Sequence, residues 1–209
     1  MMRFLVVCLL MLCSTPAFAS ITDYVVKQWN IQNGLPSQSL KSIAQDEQGY
    51  MWLGTQFGLS RFDGNTFTNF NTQNSDFLPS NGINKLLVDS TGLLWVGTKN
   101  GLVTLDPKTM MSQTFNVKGP VRDILEDSKG SIWIAANGLY YVARNQVTLN
   151  QNSALIVPVS NATAITQIVG SVSQMALSPE GIWLVNERHL LRLTNTSSDF
   201  AKLRLELTA

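Results

Sequence analysis

The sequence predicts an all-β fold, a β-propeller of about four four-stranded blades that form an incomplete arc of a larger propeller. Three observations predict it. Tryptophan recurs at Trp52, Trp95, Trp133 and Trp183, in steps of 43, 38 and 50 residues. An Asp-x-x-Gly signature stands just before the first three. No stretch sustains the 3.6-residue apolar period of a helix. Repetition near forty residues, with several short strand-like runs in each unit, is the spacing of propeller blades.

The first element in the chain is not part of that fold. Arg3 is followed by an unbroken apolar stretch, Phe4–Cys13, and Ala17-Phe18-Ala19 sets small residues at the −3 and −1 positions of a signal peptidase site. Residues 1–19 are therefore expected to be a cleaved signal peptide, and residues 20–209 the propeller repeats. The apolar stretch is about half the roughly twenty residues needed to span a bilayer, and no later segment reads as a membrane span. Both cysteines, Cys8 and Cys13, lie inside the signal. The exported chain would then hold no disulfide and no thiolate, which fits a bacterial periplasm.

Each repeat reads as four strands. In the first, Leu40–Gln45 is an inner strand, and Asp46-Glu-Gln-Gly49 is a tight turn in which Asp accepts backbone N–H groups and Gly takes positive φ. Tyr50–Thr55 is the Trp strand, Leu59–Asp63 the third, and Thr66–Phe70 the outer one after an Asp63-Gly64-Asn65 turn. The second repeat runs from Ile83–Val88 through Asp89, Gly92 and Trp95 to Gly97 and Thr98. The third keeps Asp127, Gly130 and Trp133 but has Ala135-Ala136 for Gly-Thr. The fourth has Ser178 for Asp and one residue fewer before Trp183.

A blade meets neighbours on both faces, so its middle strands need bulk. Burying one indole removes roughly 150–250 Å² from water, worth about 4–6 kcal/mol as an upper bound. Gly54 and Gly97 lie two residues beyond the Trp, on the same face, and would let the adjacent blade approach the backbone. Trp52, Gly54, Trp95, Gly97, Trp133 and Trp183 are thus read as blade-packing residues. Thr55 and Thr98 are placed to bond backbone groups at the strand end.

The segment from Ile43 to Gly64, with Asp46, Gly49, Trp52, Gly54, Thr55, Gly58, Arg61 and Phe62, resembles the two-component regulator propeller repeat. The preceding Trp29–Ser37 is similar to the lead-in that opens such regions. The resemblance runs from about Tyr24 to Leu193. It implies the exported sensory part of a signalling protein, in which a membrane helix and a histidine kinase, diguanylate cyclase or transcription-regulator module follow. These 209 residues contain no H-box, kinase ATP site or Gly-Gly-Asp/Glu-Glu-Phe motif. The resemblance therefore implies a sensor propeller without its output domain, a truncated form. Tyr24–Ile31 is expected to be the outer strand of a closing blade. Ser153–Ile168 is expected to be an irregular insert, and the tail after Asn195 is poor in blade signals. An open arc would leave blade edges available for self-association.

No catalytic, metal or cofactor constellation is visible. The chain's one histidine, His189, is read as a strand-start surface residue, and one imidazole makes neither a metal site nor a triad. Asp63-Gly64-Asn65-Thr66 lacks the spaced carboxylates of a calcium loop. Apolar residues make up 44% of the chain and charged ones 14%, with fifteen Lys+Arg against fourteen Asp+Glu and no basic run. That balance excludes nucleic acid as a partner. Aligning the repeats places Lys41, Asn84, Arg122 and Ser173 at one position early in the inner strand. A ring-facing row of such donors would suit an anionic or polyhydroxylated ligand; the alternative reading is ordinary strand-edge polarity. The expected function is a periplasmic sensor that binds a small molecule, glycan fragment or periplasmic protein. The alternatives are a stand-alone exported interaction module and, third, a polysaccharide-active enzyme on a propeller scaffold.

Overall fold

The computed structural model describes residues 25–147, 149, 160–161, 163–165, 171–187, 189–194 and 204–207. The expected signal peptide lies outside the described residues. The fold is all-β, four sheets standing side by side as an arc of blades. Blade one is β1 (Leu40–Gln45), β2 (Met51–Thr55), β3 (Gly58–Phe62) and β4 (Phe67–Phe70). Blade two is β5 (Ile83–Val88), β6 (Leu94–Thr98), β7 (Gly101–Leu105) and β8 (Ser112–Asn116). Blade three has β9 (Asp123–Glu126), β10 (Ile132–Ala136) and β11 (Gly138–Val142). After β12 (Ser160–Asn161), β13 (Thr163–Ile165) completes it as the outer strand. Blade four is β14 (Val172–Ser178), β15 (Gly181–Asn186), β16 (Leu190–Thr194) and β17 (Arg204–Leu207). Within every blade successive strands pair antiparallel.

The turn signature builds a clamp that holds the indole. In blades one to three the Asp uses Oδ1 to accept the backbone N–H groups two and four residues on, which shapes the hairpin. Its Oδ2 accepts from the Trp Nε1 six residues on, at 2.8 Å for Asp46–Trp52, 2.8 Å for Asp89–Trp95 and 2.9 Å for Asp127–Trp133. The glycine closing each turn has φ of 88°, 83° and 75°, which a side chain resists. With the polar end of each ring satisfied, Trp52, Trp95 and Trp133 are buried to 1% exposure or less.

Each of these rings faces the next blade. Trp52 and Leu59 pack with Ile83, Leu86, Val96 and Val103 of blade two. Trp95, Leu102 and Phe115 pack with Val121, Ile124, Ile134 and Tyr140 of blade three. Trp133, Leu139 and Tyr141 pack with Val172, Ile182, Leu184 and Leu193 of blade four. Gly54 and Gly97 admit the first apolar residue of the neighbouring inner strand. A Cβ on Gly54 would meet Ile83 Cγ2 at 2.7 Å, and one on Gly97 would meet Val121 Cγ1 at 2.5 Å. Thr55 and Thr98 donate to the carbonyls of Gly58 and Gly101 at 3.0 and 2.9 Å, locking the β2–β3 and β6–β7 turns.

Trp183 departs from this pattern. Ser178 stands at the turn and bonds only backbone, accepting from Glu180 N and donating to Gly181 O. The indole is half-buried, on the face of blade four that meets no further blade among the described residues, with the Arg192 guanidinium 5.4 Å from its ring.

Three expectations need correction. Val25–Asn30 joins no strand; Val25 and Val26 are 94% and 92% exposed. The reason lies just downstream: Asn30 and Asn33 cap one another around a 3-10 turn, Ile31–Asn33, and Gly34 at φ 100° turns the chain back. This fold lays Trp29 and Leu35 over Leu53 and Phe62, so the lead-in covers the outer face of blade one. The expected insert Ser153–Ile168 holds two short strands, one beside β8 in parallel register and one completing blade three. The tail contributes β17 to blade four. Short strands that pair at a blade's edge need no alternating apolar pattern, which hid both.

Candidate functional site

In an antiparallel blade, the start of the inner strand and the turn between the second and third strands lie at the same end. Lys41, Asn84, Arg122 and Ser173 all fall at that end, each beside a local irregularity. The ladder skips one residue in blades one, two and four, between Leu40 and Ser42, Ile83 and Lys85, and Val172 and Gln174. The skipped residues are Lys41, Asn84 and Ser173. In blade three Arg122 stands directly before β9 and donates its N–H to Ala135 O at 2.8 Å. A bulge twists its strand and re-aims a side chain away from the sheet, which makes this position suited to presenting polar groups.

Three of the four converge. Lys41, Asn84 and Arg122 line one cavity of about 600 Å³, with Lys99 and Pro120. Ser173 is not among its lining residues and donates instead to Val185 O at 3.0 Å. The lining groups are fixed to different degrees. Asn84 Nδ2 donates to Val121 O at 2.9 Å, across the boundary between blades two and three. Arg122 Nη1 donates to Asn137 Oδ1 at 3.2 Å. The stem of Lys99 lies over Gly82, where a Cβ would come within 2.5 Å of Lys99 Cδ, and Lys99 N donates to Gly82 O at 2.8 Å. Asn137 crosses Gly119 in the same way.

Lys99 and Asn137 sit in the second-to-third-strand turns of blades two and three, and alignment of inner strands alone passes over them. Hairpin topology brings those turns to the same end, and that was the available signal. A second missed set lies one residue beyond the row. Ser42 Oγ accepts from Leu86 N at 2.9 Å, joining blades one and two. Asp123 Oδ2 accepts from Met175 N at 2.8 Å, joining blades three and four. Lys85 holds the same register position but has no acceptor to offer. It reaches across to Asp123 Oδ1 at 2.8 Å, and that oxygen also serves Ile124 N. Asp123 thus ties three blades together beside the inner strands.

At the opposite end a cavity of about 580 Å³ lies between blades three and four, lined by Asp127, Lys129, Leu177 and Glu180 among others. The Asp127 oxygens there already hold Trp133 and the hairpin. His189 lies at the turn of blade four, exposed, its N–H donating to Asn186 Oδ1 at 2.7 Å. Among the described residues no group of three or more His, Cys, Asp or Glu could hold a metal ion. No described helix is long and apolar enough to cross a membrane.

Four repeated sheets with a cavity at their inner-strand ends define a β-propeller of the repeat class. The model of the two component regulator propeller matches three of the repeats, at residues 34–57, 78–100 and 117–138, so these repeats are similar to that family's. A histidine kinase of Formosa agariphila is 36% identical over 58 residues, 28% of this chain and 4% of that protein. An extracellular domain assigned to a hybrid two component system of B. thetaiotaomicron superposes with a TM-score of 0.67 at 18% identity, over 88% of this chain and 26% of that one. Virginiamycin B lyase from Staphylococcus aureus superposes with a TM-score of 0.55 at 14% identity, over 80% of this chain and 54% of that one. The chain spans about a quarter of the first of these solved domains.

Proposed function

We propose that this chain is the exported sensory propeller of a bacterial signal-transduction protein, and that it recognises its ligand at the cavity lined by Lys41, Asn84, Lys99 and Arg122. The observation that carries the reading is a combination. The repeats are similar to those of two component regulators, and polar side chains from three successive repeats meet at one cavity. Signal arises when a ligand held by several blades at once shifts their relative packing, which the contacts of Ser42 and Asp123 couple from blade to blade. The chain's own role is binding, and output chemistry belongs to another part of the signalling protein.

A thermal-shift screen of the chain against periplasmic metabolites and oligosaccharides tests this, because a ligand of the folded state raises apparent stability by mass action. A ligand whose effect disappears in Asn84→Ala supports the reading. A screen without a single stabilising compound, or turnover of a compound by the chain itself, contradicts it. The likeness to a lyase fold favours the enzyme alternative, but the exposed His189 is not among the residues that line the cavity.

A further inference from the structure

We infer that the cavity selects an anionic ligand, one carrying carboxylate, sulfate or phosphate groups spread widely enough to be met by three blades. This rests on the reading that the cavity is the recognition site, and commits it to a charge. Lys41 comes from blade one, Lys99 from the turn of blade two and Arg122 from the start of blade three. No acidic side chain lines the cavity, and among the described residues none lies within ion-pair distance of these three cations.

The contrast with the rest of the molecule gives this weight. The chain is close to neutral, and elsewhere four of its described cations pair with carboxylates while Lys27 and Arg61 lie over the rings of Trp29 and Tyr50. At the opposite end of the blades Lys108 pairs with Glu47 at 2.9 Å, Arg144 with Asp89 at 3.6 Å and Arg192 with Glu180 at 2.7 Å. Lys85 pairs with Asp123 along the inner strands. Around the cavity Lys41, Lys99 and Arg122 gather with no counter-charge among the described residues. A concave site lined by one sign of charge concentrates ions of the other sign.

The cluster is also built, which separates it from a chance gathering of surface lysines. Arg122 spends one N–H on Asn137 and keeps four donors, enough for a bidentate pair with a carboxylate or an oxyanion of sulfur or phosphorus. Asn137 reaches it because Gly119 leaves the backbone bare: a Cβ there would collide with the Asn137 amide. Gly82 gives Lys99 the same passage. Asn137, Gly82 and Gly119 are therefore positioning residues for the two cations.

Calorimetric titration of the 209-residue chain with citrate, tri-galacturonate and neutral galactotriose tests the inference. These separate a small multi-carboxylate from an acidic glycan, and both from an uncharged one. The expected result is binding of citrate, tri-galacturonate or both, with galactotriose at least tenfold weaker. Arg122→Ala should lower the anion affinity at least tenfold, Arg122→Lys should recover part of it, and Lys99→Gln should lower it several-fold. Added sodium chloride should weaken the binding, and less steeply in each charge-removing variant. Circular dichroism of the variants should match the parent, since Lys99 is exposed and Arg122 only half-buried. Equal binding of galactotriose and tri-galacturonate, lost in Arg122→Ala, overturns the charge inference and leaves the cavity as the recognition site. Anion binding unaffected by Arg122→Ala and Lys99→Gln overturns the inference too. So does the absence of binding by either anion, while the wider ligand screen decides the sensor reading separately.

Discussion

The Trp95 indole donates to Asp89 Oδ2 at 2.8 Å while Asp89 Oδ1 holds the hairpin that precedes it. One carboxylate therefore fixes both a turn and the largest ring between blades two and three. Asp89→Asn keeps an acceptor for the turn but sets an amide N–H₂ or a weaker acceptor against the indole. The expected loss is about 1.5–3 kcal/mol, the range for a hydrogen bond to a charged group. A lowered urea midpoint with an unchanged slope is the measurement that checks it.

Gly97 faces Val121 so closely that an added Cβ would lie 2.5 Å from Cγ1. Gly97→Ala should destabilise the chain by about 1–3 kcal/mol through overpacking. Adding Val121→Ala should recover part of that loss, giving a non-zero coupling in a double-mutant cycle. Strict additivity of the two changes would disprove the contact.

Asp123 serves Met175 N, Ile124 N and Lys85 Nζ. Asp123→Ala should cost about 1–3 kcal/mol for each buried donor left unpaired. Hydrogen exchange of the Met175 and Ile124 amides should speed up in this variant beyond the change in distant strands.

Asp63 accepts from Thr66 N, Thr66 Oγ1 and Asn65 N, and these bonds hold its carboxyl down at about 2, against an ordinary 3.8. A depressed carboxyl adds stability that is present above about pH 4 and is lost as pH falls through about 2. Carbon-detected titration of the Asp63 carboxyl should show its midpoint near 2. Asp63→Asn should flatten the acid limb of the stability profile.

Much of the fold is legible in the sequence because one physical problem, burying both faces of a sheet, is solved the same way in successive repeats. Trp52, Trp95 and Trp133 with their aspartates mark blades, and Gly54 and Gly97 mark their contacts. What escaped were groups whose role depends on where the fold aims a second side-chain oxygen or on a partner in another blade. Asp46 reads as a turn residue, and nothing local says its second oxygen meets an indole. Asp123 looks like one more polar strand residue until Lys85 and Met175 are placed beside it. Lys41, Asn84 and Arg122 could be aligned by repeat, and three blades do bring them to one cavity. Ser173 obeys the same alignment but turns to the Val185 carbonyl, because alignment gives position and not side-chain direction. The lead-in misled for a related reason: Val25 and Val26 look like strand, while Asn30, Asn33 and Gly34 redirect the chain.

Hydrogen exchange of the five indole N–H groups, followed by NMR on the native chain, tests the clamped-blade architecture on which the sensor reading stands. Trp52, Trp95 and Trp133 should give protected signals that survive until global unfolding, whereas Trp183, with no hydrogen-bond partner for its indole among the described residues, should exchange early. Equal and rapid exchange of all five would contradict the account.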